Sequence, residues 1–82
     1  MKRLIFSAAA IRALRRHSNR AEAIRTKLDQ YAANPAALAN NVKVLVGREG
    51  KRLRVGDFRI LLTETADTIY IEEIGPRGGI YE

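Results

Sequence analysis

Three arginines lie close together in the segment 51–62, KRLRVGDFRILL, and their chemistry suits the binding of phosphate groups. Arg52 and Arg54 are separated by one residue, and Arg59 follows shortly after them. A guanidinium group keeps its charge and can donate two parallel hydrogen bonds to phosphate oxygens. Because alternate residues of a strand share a face, the spacing predicts a basic surface that receives a polyanion.

A β-hairpin is the element that must position these arginines. Gly56-Asp57 separates two β-rich runs and suits a two-residue primed turn. The register that follows sets Arg54 directly opposite Arg59, and like charges in that arrangement destabilise a sheet. Such a conflict is more typical of a functional site than of scaffold. One face of the hairpin carries Leu53, Val55, Phe58, Ile60 and Leu62. The other carries Arg52, Arg54 and Arg59, with Leu61 among them.

Length and composition indicate one small domain that spans residues 1–82. The chain has no cysteine, which excludes disulfides and thiolate metal sites and suits the reducing cytoplasm, its expected location. No run of about 18 apolar residues is present, so we expect neither a transmembrane helix nor a membrane partner. The basic start MKRLIF is followed too soon by further charges to be a signal peptide.

The positive charge of the chain is concentrated in its first 59 residues. This part holds 14 basic and 4 acidic side chains, a net charge of +10, whereas residues 60–82 hold 1 basic and 5 acidic side chains, a net charge of −4. A basic field of this size favours nucleic acid or an acidic protein as a partner. The alternative interpretation is that the charge serves solubility alone.

The first half of the chain predicts a strand followed by two helices. Lys2–Phe6 reads as the strand, and Ser7 is a suitable N-cap for the first helix. The polar segment 17–19 interrupts the helical pattern, and Ser18 or Asn19 is expected to cap a second helix that ends near Asn34. A buried stripe on that helix is predicted at Ile24, Leu28 and Tyr31. Two helices joined by so short a turn form an αα-hairpin.

The second half predicts strands. Val42–Gly47 reads as an irregular strand or a connector, residues 51–64 as the hairpin, and Thr68–Ile74 as a third strand of the meander. A loop at 75–79 and a short last strand at 80–82 complete the chain. The order β-α-α-β-β-β indicates an α+β fold, with an N-terminal strand and an αα-hairpin packed on one face of a small, mainly antiparallel sheet. The open face would then be the one with the arginines.

Four segments of the chain together resemble the RelE/ParE superfamily, the toxins of type II toxin–antitoxin pairs. They are IRTKLDQYAANP, NVKVLVG, RLRVGDFRILL and IGPRGGIY, and they look closer to the RelE branch. The resemblance implies a ribosome-dependent endoribonuclease, an mRNA interferase that cuts mRNA in the decoding site without a metal ion or other cofactor. It also implies a cognate acidic antitoxin that blocks the toxin in a hetero-oligomeric complex.

The resemblance also implies a set of site residues. Arg59 matches the arginine after the glycine–aromatic turn, and is expected to bind the scissile phosphate. Arg77 matches the arginine of the C-terminal motif and is expected to be a second phosphate ligand. Tyr81 matches the C-terminal tyrosine, which would stack on a base or donate a proton, although it could instead pack on the sheet. Contacts to the RNA are expected from Arg52, Arg54, Lys51 and Lys43. Arg52 and Arg54 could instead orient the 2′-hydroxyl or contact the antitoxin, and a solvated surface role is the alternative for the two lysines.

One departure from the family pattern leaves other functions open. Many relatives have a histidine before the last arginine, where this chain has Pro76. The only histidine is His17, between the two predicted helices, where a capping role is favoured over catalysis. Two alternatives therefore stand beside the nuclease: a ParE-like inhibitor of DNA gyrase with no chemistry of its own, and an RNA-binding member that has lost cleavage.

Overall fold

A five-stranded sheet forms the centre of the protein in a computed structural model that describes residues 1–78. The elements in chain order are β1 (Arg3–Phe6), α1 (Ala8–Arg16), α2 (Ser18–Ala33), a 3-10 helix (Pro35–Asn41), β2 (Val42–Val44), β3 (Lys51–Val55), β4 (Phe58–Glu64) and β5 (Thr68–Pro76). The strands are arranged β1-β5-β4-β3-β2, and β1 is parallel to β5 while every other pair is antiparallel. The predicted α+β class and its order of elements are confirmed.

The helices begin and end largely where the polar residues of the sequence indicate. Ser7 caps α1, because its Oγ accepts a hydrogen bond from the backbone N–H of Ala10 at 3.0 Å. The predicted cap of α2 was wrong: Ser18 is already helical, and His17 occupies the N-cap position without a side-chain hydrogen bond. Only His17 lies between the end of α1 at Arg16 and the start of α2 at Ser18, so the N-cap position falls on His17 and not on Ser18 or Asn19. At the other end α2 stops at Ala33, as predicted.

The helix pair covers the apolar face of the hairpin. Ile24, Leu28 and Tyr31 of α2 are all buried, so the predicted stripe is confirmed. The hairpin register is confirmed as well, with Arg54 opposite Arg59 and a turn in which Gly56 has a positive φ of 58°. The buried side chains of the hairpin that join this core are Leu53, Val55, Phe58, Ile60 and Leu62.

The strand β5 is longer and less regular than the sequence indicated. It runs to Pro76, so Gly75 and Pro76 belong to the sheet and not to the predicted loop. An irregularity interrupts its pairing with β4, since Leu61 lies opposite Glu73 whereas Leu62 lies opposite Ile71. Glu72 is the extra residue, as in a β-bulge. The predicted last strand at 80–82 lies outside the described residues. Within residues 1–78 no helix is long and apolar enough to cross a membrane.

Candidate nucleic-acid interface

A cavity of about 160 Å³ opens on the sheet face that the helices leave uncovered. The β2–β3 register sets Lys43 directly opposite Arg52, so the two side chains share that face with Arg54 and Arg59. We call this cavity the arginine cavity, and it is lined by Asn40, Asn41, Lys43, Arg52, Arg54 and Arg59. Four of the seven predicted site residues are therefore brought together in one place.

The arginine cavity has a lining whose charge suits an anion. Of the described residues that line it, four carry a positive charge and none is acidic. Its volume corresponds to about five water molecules at ~30 Å³ each, which is enough for a phosphate group. Clustered cations that face a concave surface concentrate positive potential there, and guanidinium groups add the geometry that phosphate oxygens require. The arrangement can bind one phosphodiester and stabilise additional negative charge on it.

The sheet holds the cavity arginines in distinct environments. Arg59 is half-buried, its Nη1 donates to the backbone carbonyl of Phe58 at 3.3 Å, and it lies opposite Gly75 of β5, which has no side chain. Arg54 is exposed at the same level of the hairpin. Leu61 shares this face, opposite Arg52, but is buried, with only 1% of its surface exposed. Long basic side chains cover such apolar surface with their aliphatic stems.

Arg77 lies beside the hairpin turn and not among the cavity residues. It is the first residue after β5, and its backbone N–H donates to the carbonyl of Asp57 at 2.6 Å. The C-terminal segment is thus tied to the turn that links the strands of Arg54 and Arg59, while the Arg77 side chain is exposed. Tyr81 lies outside the described residues.

Lys51 does not join the arginine cavity. Its position opposite Leu62 sets it on the helix-covered face, where its Nζ is 2.7 Å from Oε1 of Glu64. The hydroxyl of Tyr31 donates to Oε2 of the same carboxylate at 3.1 Å, and Nζ of Lys2 lies 3.6 Å from that oxygen. The sequence held the signal for this placement, because Lys51 alternates in phase with Leu53 and Val55 of the apolar face.

The titration of this cluster reflects its partly buried setting. Burial alone would raise the pKa of Glu64, but hydrogen bonds from Lys51 and Tyr31 outweigh it and hold the pKa below its ordinary value. The hydrogen bond to Glu64 raises the pKa of Lys51. Burial, followed by the Glu64 charge, raises the pKa of Tyr31. The ionised cluster therefore stabilises the end of the sheet that lies away from the hairpin turn.

Two cavity residues, Asn40 and Asn41, were not predicted from the sequence. They end the 3-10 helix, and Nδ2 of Asn41 donates to the backbone carbonyl of Arg54 at 3.5 Å. The sequence did not single out this pair as part of a site. The pair lies close to Lys43 in the sequence, but only the pairing of β2 with β3 shows that this part of the chain lies beside Arg52.

His17 is part of the packing around the hairpin. Its ring lies edge-on to Phe58 with centroids 4.9 Å apart, and the Arg20 guanidinium lies 5.6 Å from the same ring centroid. His17 is not one of the described residues that line the arginine cavity. Its contacts fix the junction of the two helices against the first residue of β4.

Comparison of the whole fold with known proteins gives likenesses to several solved structures, while neither a known sequence family nor a curated protein matches the chain. A chain of the archaeal RelE–RelB complex from Pyrococcus horikoshii OT3 has a TM-score of 0.77 and 21% identity, over 96% of this chain and 98% of that one. YafQ from E. coli strain BL21(DE3) has a TM-score of 0.76 and 12% identity, over the full length of both chains. A chain of the RelB–RelE antitoxin–toxin complex from Methanococcus jannaschii has a TM-score of 0.73 and 21% identity, over 94% of each chain. The protein therefore has a RelE-like fold, and its arginine cavity lies on the open face of the sheet.

Proposed function

We propose that this protein is the toxin of a type II toxin–antitoxin system and that it cleaves mRNA on the ribosome. The observation that carries the proposal is the arginine cavity, in which four cationic side chains converge on the open face of a RelE-like sheet. A purely structural sheet gains nothing from Arg54 directly opposite Arg59, whereas a phosphodiester bound between them would neutralise their repulsion.

The reaction is a transesterification that releases the 3′ fragment of the RNA with a 5′-hydroxyl end. The 2′-oxygen of the RNA attacks the neighbouring phosphorus, the bond from phosphorus to the 5′-oxygen breaks, and a 2′,3′-cyclic phosphate and a 5′-hydroxyl result. The 2′-hydroxyl loses its proton to a base, and the leaving 5′-oxygen gains one from an acid. Arg59 and Arg54 would bind the non-bridging oxygens and stabilise the charge that develops in the transition state.

Proton transfer requires a group that can change its protonation state. Guanidinium groups do not lose their proton in proteins, and amides do not titrate, so Lys43 is the lining residue suited to donate a proton. Tyr81 is the second candidate, by its match to the family's C-terminal tyrosine. Arg77 would approach the same phosphate from the hairpin turn, to which its backbone is bound. Arg52 would hold a neighbouring phosphate.

The antitoxin would be an acidic protein that covers part of this basic surface. The net charge of +6 and the arginine cavity both favour a partner of opposite charge. Partly disordered acidic segments can wrap a large basic surface because they order only on binding. We expect a small acidic protein encoded beside this chain to co-purify with it in a stable complex. Absence of such a neighbour would argue strongly against the toxin assignment.

A cleavage assay on translating ribosomes tests the nuclease. Wild-type protein is expected to cut ribosome-bound mRNA, and Arg59→Ala is expected to lower the rate by about 10²–10³-fold, the usual effect of removing one transition-state donor. Lys27→Ala is the matched control, since it removes one positive charge from an exposed position of α2. Inhibition of gyrase supercoiling with intact mRNA would overturn the proposal in favour of a ParE-like activity. RNA binding without cleavage would identify a member that has lost the chemistry.

A further inference from the structure

We propose that the free edge of β2 is the docking site of the acidic partner, which adds there as a sixth strand and blocks the arginine cavity from its rim. The inference rests on the proposed function, since it names where and how the antitoxin would bind. It starts from two apolar side chains at the surface: Val44 is 73% exposed and Val46 is 98% exposed. Val44 ends β2, which is the last strand in the order of the described sheet.

The backbone of β2 offers hydrogen-bonding groups at this edge. Within residues 1–78, β3 is the only strand that pairs with β2. The N–H of Leu45 donates to the carbonyl of Gly50 at 3.0 Å, on the β3 side. Residues of an antiparallel strand direct their N–H and C=O groups alternately to one side and the other, so those of Val44 point away from β3. An incoming strand can therefore pair with Val44 without displacing a hydrogen bond of the sheet.

An apolar groove adjoins this edge on the helix-covered side. Its volume is about 290 Å³, and its lining includes Pro35, Ala36 and Ala39 of the 3-10 helix together with Val42 and Val44 of β2. Val42 is half-buried and packs against the core, whereas Val44 is exposed, so the cover of this face ends between them. Side chains of an added strand that point to this face would meet apolar surface.

The opposite face of the same edge is basic. Lys43 alternates with the two valines of β2, is exposed, and lines the arginine cavity beside Arg52. Every second side chain of an added strand would lie on each face. The strand that fits therefore alternates apolar residues, which cover Val44, with acidic residues, which pair with Lys43. Its carboxylates would lie at the rim of the arginine cavity and repel the phosphates of RNA.

Charge complementarity selects an acidic chain over a second copy of this protein. A second copy would bring its own Lys43 and a net charge of +6 to the same edge. A lysine on a short edge strand is a common protection against pairing between identical chains, and an acidic chain neutralises it. The other edge of the sheet, β1, is less suited, because Leu4 and Phe6 already pack against the core and the Arg25 guanidinium lies 5.3 Å from the centroid of the Phe6 ring.

Peptide binding, followed by NMR on the full ¹⁵N-labelled chain, tests the docking site directly. The probe is a short peptide in which glutamate and valine alternate. One control peptide has the same composition in two blocks, and the other has lysine in place of glutamate. We expect the alternating acidic peptide to bind at least about tenfold more tightly than either control, and to slow hydrogen exchange of the Val44 amide by at least about tenfold.

Substitutions at the edge test the two faces separately. Val44→Thr keeps the shape and the strand propensity of the side chain but removes a methyl group from the contact, so it should weaken the alternating peptide by about fivefold. Ile11→Thr, which removes exposed apolar surface from α1, is the matched control and should bind as the wild type does. Lys43→Gln should also weaken the peptide, whereas Lys27→Gln, at an exposed position of α2, should not.

Several results would overturn the docking site. Equal binding of the alternating and block acidic peptides would indicate attraction by charge alone. Absence of binding, or amide shifts centred on β1 or on the helices while Val44 stays unprotected, would also contradict the proposal. A wild-type dimer in sedimentation velocity that Val44→Thr converts to a monomer would show that a second copy occupies the edge instead.

The outcomes also separate this inference from the proposed nuclease. Protein that binds the alternating peptide at Val44 but leaves ribosome-bound mRNA intact would support the docking site and overturn cleavage. Protein that cuts ribosome-bound mRNA, but whose Val44 amide gains no protection from the peptide, would support cleavage and overturn the docking site. Cleavage that continues unchanged at saturating peptide would overturn the blocking of the arginine cavity.

Discussion

Replacing Arg54 with glutamine should make the fold more stable and the protein a weaker RNA binder. Arg54 lies directly opposite Arg59 on the open face, and it is exposed at its strand position. The substitution keeps the length of the side chain and its ability to form hydrogen bonds, but removes one of two facing charges. Stability and function are therefore expected to change in opposite directions.

The size of the stability gain follows from the cross-strand geometry. Two unit charges about 5.5 Å apart, the upper end of the Cβ separation of directly opposed residues, repel each other by about 0.75 kcal/mol in water, within the range of about 0.2–1 kcal/mol for such pairs in a sheet. With a urea dependence of about 1 kcal/mol/M for so small a domain, the unfolding midpoint should rise by about 0.75 M. The gain should vanish in 1 M salt, where the screening length is about 3 Å.

Urea unfolding at low and high salt, with RNA binding measured in parallel, is the appropriate assay. Lys27→Gln is the matched control, because it lowers the net charge equally from an exposed site on α2. Loss of one phosphate contact should reduce the slope of log affinity against log salt by about 0.7 for single-stranded RNA. Equal stabilisation by Lys27→Gln, or a gain that persists in 1 M salt, would refute the cross-strand explanation. An unchanged salt slope would refute the phosphate contact.

Three further substitutions, the last with a control variant, test the scaffold of the protein. The pKa of Glu64 is lowered in the folded protein, so its contribution to the free energy of unfolding is present above about pH 4.5 and is lost as the pH falls through the folded pKa. Glu64→Gln should lower the free energy of unfolding by about 1.5–3 kcal/mol at pH 7. It should also remove this acid dependence, which urea unfolding at several pH values measures. Gly50→Ala should cost at least about 2 kcal/mol by the same measurement, because φ is 118° and an added Cβ would lie 2.7 Å from the carbonyl oxygen of Leu62; a variant as stable as the wild type would contradict this geometry. Ser7→Ala should lower the free energy of unfolding by about 1–2 kcal/mol, and with it the thermal midpoint, because the Ser7 hydroxyl caps α1 and donates to the carbonyl of Glu72 at 2.7 Å. Ser18→Ala is the control, since Ser18 begins α2 without a side-chain cap, and it should change the free energy of unfolding by less than about 0.5 kcal/mol.

The hairpin could be predicted from the sequence because its rules are local. Alternation of apolar and basic residues around Gly56 determines the faces and the register, and the structure has the same pairs. The stripe on α2 was equally accessible, since 3.6-residue periodicity reports a buried face directly. The placement of Lys51 was accessible by the same alternation, but its basic side chain was interpreted by type and not by phase.

The parts that could not be predicted depend on contacts between distant segments. Lys43 reaches Arg52 only through the pairing of β2 with β3, and the polar pair 40–41 joins the cavity only because the 3-10 helix packs against β3. The bulge at Glu72 has no signature in the sequence, because nothing local distinguishes an extra residue in a regular strand. Tertiary register, more than local propensity, therefore decides which residues of the candidate site meet.

The strand order has a consequence for biosynthesis. β1 is made first, yet its one neighbour in the described sheet is β5, the strand made last of the five. Until β5 has emerged from the ribosome, β1 has no sheet partner and α1 lacks the strand on which it packs, so closure of the fold depends on contacts that are remote along the chain. If the protein attacks translation, this topology delays closure of the sheet that carries the arginine cavity until β5 has been made.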